Sequence, residues 1–505
     1  MAHWFLATVT ALVLNSLFER LLKPRPRALW LRAPSAIGVH LATSALHFAF
    51  WLLVVQRPWF AVVIAASLQM LVIQVNNTKS SSLREPFLCQ DFEYFVDAVR
   101  HPRLYIPFFG IGLTIAASTA GAIAIAIGFW LEPSLFGRPD APWSLLATLI
   151  LVAGSSVVLA LLLPRLPGCT LEPNDDLVRL GLYPYLWAYG LLTRQPIDAQ
   201  ENSEAFAAPA TPPDPAALPN LVLVQSESFF DPRDWHPAIR REILDEYDAL
   251  MGEALQAGRF DVPAWGANTV RTECAVLTGL TPEHLGGHRF NPYHHLARHD
   301  VRNLAGALKR LGYRTLCIHP YPASFYLRDK VYPRLGFDEF IDIAAFDASD
   351  RDGQYVGDLA LAAKVQDFLQ VDGDKPLFIF VISMENHGPL HLETPDPAVA
   401  EAWVEGNVTS GCEDLTVYLR HLRNTNSMLS LLRDSLQKGG RQGMLAFYGD
   451  HVPIMPKVYA RHGEPDGLTN YFIWQTKPHS GDNVRRTIPA DKLGTTIYDR
   501  IIDRT

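Results

Sequence analysis

The sequence predicts two folded parts, an α-helical membrane domain of about five spans over residues 1–165 and an α/β domain over residues 218–505. Long uncharged apolar runs fill the first third of the chain and then stop. After residue 218, short apolar runs alternate with stretches of helical character, which is typical of a sheet covered on both faces. Several of these short runs end directly in titratable residues.

Composition excludes some classes of function. The 505 residues carry a formal net charge of −8, and no basic cluster suits a phosphate backbone, so nucleic acid is not an expected partner. The five cysteines show no CxxC spacing, and we expect packing residues rather than metal ligands or disulfides.

Five segments are apolar enough to be membrane spans, because crossing the hydrocarbon takes about 20 mostly apolar residues. They are roughly residues 3–18, 34–56, 58–75, 104–131 and 142–164. The first is short and could be a signal peptide instead. No basic residue precedes it and no small-residue cleavage site follows, so we count it as a span.

Basic residues give one indication of topology. Loop 19–33 holds five of them and loop 76–103 holds four, whereas the other two loops hold Arg57 and Arg138. The positive-inside rule places the two richer loops in the cytoplasm. With five spans, the C-terminal domain would then be cytoplasmic as well.

Residues 166–217 are predicted to join the two parts. Residues 177–193 are apolar but short and interrupted by Pro184, which favours an interfacial helix over a span. The residues that follow, up to 217, are rich in Ala and Pro and predict a semi-extended linker.

The α/β domain is predicted from four apolar strands and the helices between them. The strands are 221–225, 314–318, 377–383 and 444–448, and the helices include 301–311, 358–370 and 414–438. Ligands of open α/β sheets bind at the carboxyl ends of the strands. We therefore expect the polar groups that follow these strands to converge on one edge.

Those polar groups follow each of the four strands. They are Glu227, His319, the Glu385-Asn386-His387 run, and the Asp450-His451 pair. Any one of them alone is more often a loop residue, a helix cap or a structural histidine. Four coincident strand ends are harder to explain in that way. Carboxylates and neutral imidazoles together suit a divalent ion such as Mn²⁺ or Zn²⁺.

A nucleophile for such an ion is offered by PAWGANTVRTECAVLTGL, residues 263–280. A loop here leads into a predicted helix, and a threonine at a helix N-terminus sits in a positive field. A metal would make its alkoxide accessible for covalent catalysis. The alternative is that Thr269 or Thr272 merely caps the helix.

Five motifs together resemble the lipoteichoic acid synthase and phosphoglycerol transferase family of the alkaline phosphatase and sulfatase superfamily. They are VQSESF, GANTVRTECAVLTG, IHPYPASFYLRD, SMENHGPL and FYGDH, in the order of that family. The resemblance is strong over about 219–455, and the membrane part agrees in layout. It implies an alkaline phosphatase/sulfatase-like catalytic domain.

The resemblance implies a metal-dependent site. Its metal ligands would be Glu227, Thr269, Asp450 and His451, and the ion Mn²⁺, with Zn²⁺ or Mg²⁺ as alternatives. Thr269 would be the nucleophile, with Thr272 in support; Cys274 departs from the family's usual Phe. The glycerol-phosphate pocket would be lined by His319, Tyr326, Arg328 and His387. Arg328 would clamp phosphate oxygens, and His387 would bind the phosphoryl group or transfer protons.

The implied reaction takes phosphoglycerol from phosphatidylglycerol, through a threonine-linked intermediate, to a glycan or glycerolipid acceptor. The resemblance also implies a multi-pass plasma-membrane protein with an extracytoplasmic catalytic domain, against the basic-residue count. A phosphoethanolamine transferase and a non-catalytic lipid-binding accessory protein remain alternatives. A sulfatase is disfavoured because no cysteine has the C-x-P-S-R context, and a transporter because the spans contain few ionisable residues beyond His40 and His47.

Overall fold

The chain forms two compact units, Met1–Pro196 and Ile197–Thr505, in a computed structural model. The structure describes residues 1–102, 111–198, 205–211, 213–371, 373–406, 408–477 and 483–503. Predicted residues 104–110 of the fourth span, and 199–204 and 212 of the linker, lie outside the described residues.

The first unit is helical. Its helices are α1 (Ala2–Phe18), α2 (Pro34–Val55), α3 (Pro58–Leu83), α4 (Phe95–Arg100), α5 (Ile111–Leu131), α6 (Ala141–Leu162), α7 (Pro173–Leu180) and α8 (Leu182–Leu192). Among the described residues, five helical stretches are long and apolar enough to cross a membrane. This confirms the predicted membrane part.

The predicted interfacial helix over 177–193 is two short helices in the structure. Gly181, with φ +81°, separates α7 from α8. This backbone conformation is one that residues with a Cβ rarely adopt. Both helices pack into the first unit, where Tyr185 and Tyr189 are fully buried. The Glu19 carboxylate accepts a hydrogen bond from the Leu182 backbone N–H at 2.5 Å and so fixes the start of α8.

The second unit is built on a nine-stranded sheet in the described part of the chain. Its strands are β1 (Asn220–Ser226), β2 (Gln256–Asp261), β3 (Arg314–Ile318), β4 (Glu339–Ile341), β7 (Leu377–Ile382), β8 (Gly443–Gly449), β9 (Thr469–Gln475), β10 (Val484–Arg485) and β11 (Ile488–Pro489). A separate hairpin pairs β5 (Arg351–Asp352) with β6 (Tyr355–Val356).

The four predicted strands lie side by side at the centre of this sheet. The order runs β10-β2-β9-β8-β1-β7-β3-β4, and β11 pairs with β2. Strands β8, β1, β7 and β3 are all parallel to one another. Their carboxyl ends therefore open at one edge, as the sequence predicts. Strand β9 is antiparallel to both β8 and β2.

Helices cover both faces of the sheet. The helices are α9 (Asp245–Glu253), α10 (Thr269–Thr278), α11 (Pro282–Leu285), α12 (Pro292–Leu296), α13 (Leu304–Arg310), α14 (Arg328–Leu335), α15 (Asp358–Leu369), α16 (Pro397–Trp403), α17 (Glu413–Lys438), α18 (Pro456–His462) and α19 (Asp491–Ile502). The predicted helices 301–311, 358–370 and 414–438 correspond to α13, α15 and α17.

Two hydrophobic cores flank the sheet, and alternate residues of each central strand enter different cores. In β1, Leu221 and Leu223 belong to the core with α10, α13 and α19. Val222 and Val224 belong to the core with α9, α15 and α17. This period of two explains why the strands are continuously apolar: both faces are buried.

Candidate active site

A buried cluster of metal-ligand type forms where β1 and β8 end. Glu227, Asp450 and His451 each offer one ligand atom, and these atoms lie within 4.8 Å of one another. His451 Nε2 is 3.3 Å from Asp450 Oδ2 and 3.6 Å from Glu227 Oε1. Backbone N–H groups of Ser228 and His451 donate to Asp450 Oδ1 at 2.8 and 2.9 Å, which orients the carboxylate. The two adjacent parallel strands thus bring together three of the four predicted ligands, Glu227, Asp450 and His451.

The electrostatics of this cluster fit a divalent cation. Asp450 Oδ2 and His451 Nε2 are buried and have no hydrogen-bond partner among the described residues. Burial, and then the neighbouring Asp450 carboxylate, raises the pKa of Glu227 to about 8. Buried polar atoms are normally paired, and two carboxylates this close repel each other. Two oxygens and one imidazole nitrogen could hold Mn²⁺ or Zn²⁺.

The helix α10 presents Thr269 at its first residue. Asn268, with φ +65°, holds the N-cap position, so neither Thr269 nor Thr272 caps the helix in the structure. Thr272 Oγ1 donates to the backbone carbonyl of Asp450 at 2.7 Å. Residues three apart lie on one helix face, so this bond directs the face that carries Thr269 toward the metal-ligand segment.

His319 and Arg328 are joined behind this edge. The Arg328 Nη1 group donates to His319 Nε2 at 3.1 Å, while His319 Nδ1 lies 3.2 Å from the carbonyl of Ile382. Burial, and next the charge of Arg328, lowers the pKa of His319 to about 3. The ring is therefore neutral, with the proton on Nδ1 and the lone pair on Nε2.

Arg328 is oriented differently from the predicted phosphate clamp. Its Nε and Nη2 groups donate to the two oxygens of Glu273 at 3.2 and 2.8 Å, and both residues are fully buried. The fork of the guanidinium is thus directed at a protein carboxylate. A contact between Nη1 and phosphate remains a prediction, and a grip on two phosphate oxygens would require Arg328 to leave Glu273.

Glu273 accepts more hydrogen bonds than these two. Gln225 Nε2 donates at 3.0 Å and Tyr293 Oη at 2.5 Å, and Tyr332 Oη donates as well. Arg328 and these donors hold the pKa of Glu273 at about 2 against the opposing effect of burial. The carboxylate is therefore ionised, and it connects β1, α10, α12 and α14.

Tyr326 lies in a strained turn before α14. Tyr326 and Leu327 have φ of +57° and +59°, a region that non-glycine residues seldom enter. The guanidinium carbon of Arg328 lies 5.4 Å from the Tyr326 ring centroid. Strain of this kind costs about 1–3 kcal/mol per residue and clusters at functional sites.

His387 is half-buried after β7. Its Nδ1 lies 2.7 Å from the carbonyl oxygen of Gly388 and 3.3 Å from Tyr355 Oη. Burial lowers its pKa, so the ring is neutral, and Nδ1–H donates to the carbonyl. The Nε2 lone pair is then the one able to take a proton.

The other polar groups after β7 turn away from the metal-ligand cluster. Glu385 accepts from the backbone N–H of Asp358 at 2.7 Å and from Asn424 Nδ2 at 2.6 Å, and so holds the start of α15. Asn386 Oδ1 lies 3.0 Å from His421 Nδ1. These two residues support the site from behind, whereas Glu227, His319, Asp450 and His451 end their strands as predicted.

Sequence reasoning missed Glu273 and Tyr355 as site residues. A weak signal existed, because Gln225 ends an otherwise apolar strand and Glu273 precedes the apolar run CAVL. A polar residue in a buried position requires a partner. Tyr355 lies in a short hairpin strand that no periodicity indicates.

The comparisons with known proteins place the chain in a family. The family model described as Sulfatase matches residues 219–501. A capsular polysaccharide biosynthesis protein, RkpI of Rhizobium meliloti, is 30% identical over 478 residues, which are 90% of this chain and 86% of that protein. The chain belongs to the sulfatase family, and it shares nearly its whole length with this relative.

Two further comparisons cover smaller parts of the chain. Lipoteichoic acid synthase 1 of Bacillus subtilis is 25% identical over 146 residues, 28% of this chain and 22% of that protein. The solved Streptococcus pyogenes phosphoglycerol transferase GacH, in complex with sn-glycerol-1-phosphate, aligns with a TM-score of 0.48 at 21% identity. The alignment covers 60% of this chain and 79% of that one. The match to a lipoteichoic acid synthase confirms the resemblance that the motifs carry.

Replacing Glu273 with Gln should destabilise the protein by about 3–5 kcal/mol, because Arg328 would be left buried and charged without a counter-charge. Denaturation of the purified full chain measures this. Glu339→Gln is the matched control, since it breaks the exposed ion pair with Arg314 and should cost less than about 1 kcal/mol. Equal losses of stability in the two variants would show that the buried pair contributes no more to stability than the exposed one.

The stability gap between wild type and Glu273→Gln should also depend on pH. The pKa of Glu273 is about 2 in the folded chain against an ordinary 4.5. Its contribution is therefore fully present above pH 4.5 and is lost as the pH falls through 2. Denaturation midpoints of both proteins between these pH values test this, and a gap that widens toward acid would contradict it.

Replacing Gly449 with Ala should weaken divalent-cation binding. A Cβ at this position would collide with the backbone carbonyl oxygen of Phe229, so the end of β8 must shift and displace Asp450. Calorimetric titration with Mn²⁺ should show a loss of about tenfold or more. Gly440→Ala is the control, because no atom lies within 4 Å of its Cβ. Unchanged affinity in Gly449→Ala would contradict the metal assignment.

Proposed function

We propose that this protein is a membrane-anchored phosphoglycerol transferase that moves phosphoglycerol from phosphatidylglycerol to a glycan acceptor. The observation that carries the proposal is the hydrogen bond from Thr272 to the Asp450 carbonyl. It brings a helix that begins at Thr269 up to three buried residues that could hold a metal ion. A hydroxyl at a helix N-terminus beside a divalent cation is suited to attack a phosphodiester.

The first step would form a covalent intermediate. Thr269 Oγ1 attacks the headgroup phosphorus, the bond to the diacylglycerol oxygen breaks, and diacylglycerol leaves with the proton that Thr269 loses. Glu227, Asp450 and His451 would hold a divalent ion, which when bound lowers the hydroxyl pKa and offsets phosphoryl charge. The positive end of α10 would favour the anionic phosphate.

The second step would return the enzyme to its starting state. A hydroxyl of the acceptor attacks the phosphorus of phosphoglycerol-Thr269, and Thr269 Oγ1 leaves and takes up a proton. His387 Nε2 is the nitrogen able to accept the acceptor's proton and pass it on. Arg328 Nη1 would orient the glycerol-phosphate group from the other side, and His319 Nε2, which accepts from Nη1, would position the guanidinium.

A glycan is the acceptor class that we favour over a glycerolipid. The relative that covers nearly the whole chain is named for capsular polysaccharide biosynthesis. The membrane unit suits a donor that is a bilayer lipid. A non-catalytic accessory protein would not need to keep Glu227, Thr269, Asp450 and His451 together, and all four are present.

Turnover of phosphatidylglycerol with a labelled glycerol headgroup tests this function. With Mn²⁺, the wild type should release diacylglycerol and pass label to itself or to a glycan. Thr269→Ala should lower the rate on the order of a thousandfold or more. Thr496→Ala is the control, because its hydroxyl bonds the Lys492 carbonyl within α19 and no other residue that the structure describes.

The outcomes separate the alternatives. Release from phosphatidylethanolamine but not phosphatidylglycerol would make the protein a phosphoethanolamine transferase. Full activity in Thr269→Ala would rule out this nucleophile. Absence of turnover with either lipid in a folded, metal-bound protein would favour the non-catalytic alternative.

We also propose that the catalytic unit faces away from the cytoplasm. The basic-residue count that opposes this includes cations neutralised within the first unit. Arg32 pairs with Glu19 at 2.8 Å, and Lys79 pairs with Glu85 at 2.8 Å and with Asp91 at 2.7 Å. The family resemblance, which implies an extracytoplasmic catalytic domain, supports the proposal more strongly than this count opposes it.

An alkaline phosphatase reporter fused to the C-terminus tests this orientation, because the reporter is active only outside the cytoplasm. We expect activity comparable to that of a known exported fusion expressed at the same level. A fusion at the loop that contains Arg138 should be inactive, since one span separates it from the C-terminal unit. The reverse pattern would place the catalytic unit in the cytoplasm.

A further inference from the structure

We propose that loop 19–33 of the membrane unit, called here the basic loop, binds the headgroups of anionic phospholipids. The proposal rests on the proposed function, for which phosphatidylglycerol is the donor. Residues 20–32 read RLLKPRPRALWLR, five cations with no carboxylate among them. The loop joins α1 to α2, two helices long enough to span the membrane, so it lies at the level of the headgroups.

Of the five cations of the basic loop, one is used in folding, Arg20 is half-buried, and three are exposed. Arg32 is buried and donates to both Glu19 oxygens, at 3.0 and 2.8 Å. Lys23, Arg25 and Arg27 are exposed, and their side chains make no hydrogen bond or ion pair with any described residue. Three positive charges are therefore exposed without a partner in the part of the chain that the structure describes.

The backbone of the basic loop is held in place. The Lys23 N–H donates to Asn77 Oδ1 at 2.8 Å, and Asn76 Nδ2 donates to the Lys23 carbonyl at 2.8 Å. The Arg27 N–H donates to the Val178 carbonyl at 2.9 Å. The loop is thus fixed to α3 and α7, and binding would not require it to be ordered first. Preorganisation of this kind favours affinity.

Apolar side chains beside the cations indicate a lipid rather than a soluble polyanion. Trp30 is 76% exposed and Leu31 is 65% exposed. Tryptophan is enriched at the level of the headgroups, where its ring suits the boundary between acyl chains and water. Exposed cations next to a tryptophan are the composition of an interfacial surface that attracts anionic lipids.

The charge of this loop has a direct consequence for the reaction. A donor lipid diffuses in the plane of the membrane, and a site for its headgroup raises its local concentration next to the protein. On the proposed topology, the basic loop and the catalytic unit share one side of the membrane. The loop follows the first of the five spans, so an even number of spans, four, lies between it and that unit. Cations that oppose the positive-inside rule would then serve to recruit the substrate.

Lipid retention measured by native mass spectrometry tests the proposal. The full chain carrying Thr269→Ala, which cannot turn over its donor, is released from nanodiscs of phosphatidylglycerol mixed with phosphatidylethanolamine. The test variant adds Lys23→Gln, Arg25→Gln and Arg27→Gln. The control variant instead adds Lys375→Gln, Lys457→Gln and Lys477→Gln, which remove the same charge from exposed positions of the second unit.

Phosphatidylglycerol should be enriched over phosphatidylethanolamine in the parent and the control. It should fall at least about tenfold in the test variant, since each cation near an anionic surface contributes roughly a fivefold preference. Added salt should weaken the enrichment. Equal enrichment in the test variant, or an equal fall in the control, would overturn the proposal. So would displacement by soluble glycerol phosphate, which would indicate a phosphate pocket instead.

The result is independent of catalysis. Enrichment lost in the test variant, together with absence of turnover in the wild type, would leave the lipid surface standing and overturn the transferase function alone. Turnover in the wild type with no effect of the three substitutions on retention would support the transferase function and overturn the lipid surface alone. Melting temperatures of the variants control for folding; we expect them to be unchanged, because the three exposed side chains make no hydrogen bond or ion pair with a described residue.

Discussion

The buried ion pair between Glu273 and Arg328 is the interaction on which the rest of the site depends. Taking two charges out of water is costly unless every donor and acceptor is satisfied. Here the carboxylate meets a guanidinium fork, two tyrosines and Gln225. Because Glu273 lies one turn beyond Thr269 on α10, the same network that satisfies the pair also fixes the helix that begins with the proposed nucleophile.

The metal-ligand cluster is organised by the sheet instead, and the two parts meet at α10. Glu227 and the Asp450-His451 pair lie close together because they follow adjacent parallel strands, and this placement does not depend on the helices. The Thr272 hydroxyl bonds the Asp450 carbonyl and so joins the sheet edge to the helix. An error in either part would separate the proposed nucleophile Thr269 from the residues that could hold a metal ion. The neutral rings of His319 and His387 follow from burial in the same region.

Periodicity predicts the part of this site that the backbone determines. Four apolar strands of the right length identify the central sheet, and the residues just after them include the metal-ligand cluster. The partners of Glu273 could not be predicted, because they come from tertiary packing and Arg328 lies 55 positions away. Glu385 follows its strand as expected, yet the free N–H at the start of α15 attracts its carboxylate. The left-handed turn at Tyr326 could not be predicted either, because no residue type typical of such a turn marks it in the sequence.

The order of the strands has a consequence for how the protein is made. Strand β1 comes first in the catalytic unit and β8 comes late, yet they pair at its centre, and Ser228 bonds Asp450 across 222 positions. A nascent chain that has released β1 must wait for most of the unit before its neighbour arrives. Contacts so distant in sequence form slowly. A chain truncated before β8 therefore lacks Asp450 and His451, and with them the metal-ligand cluster.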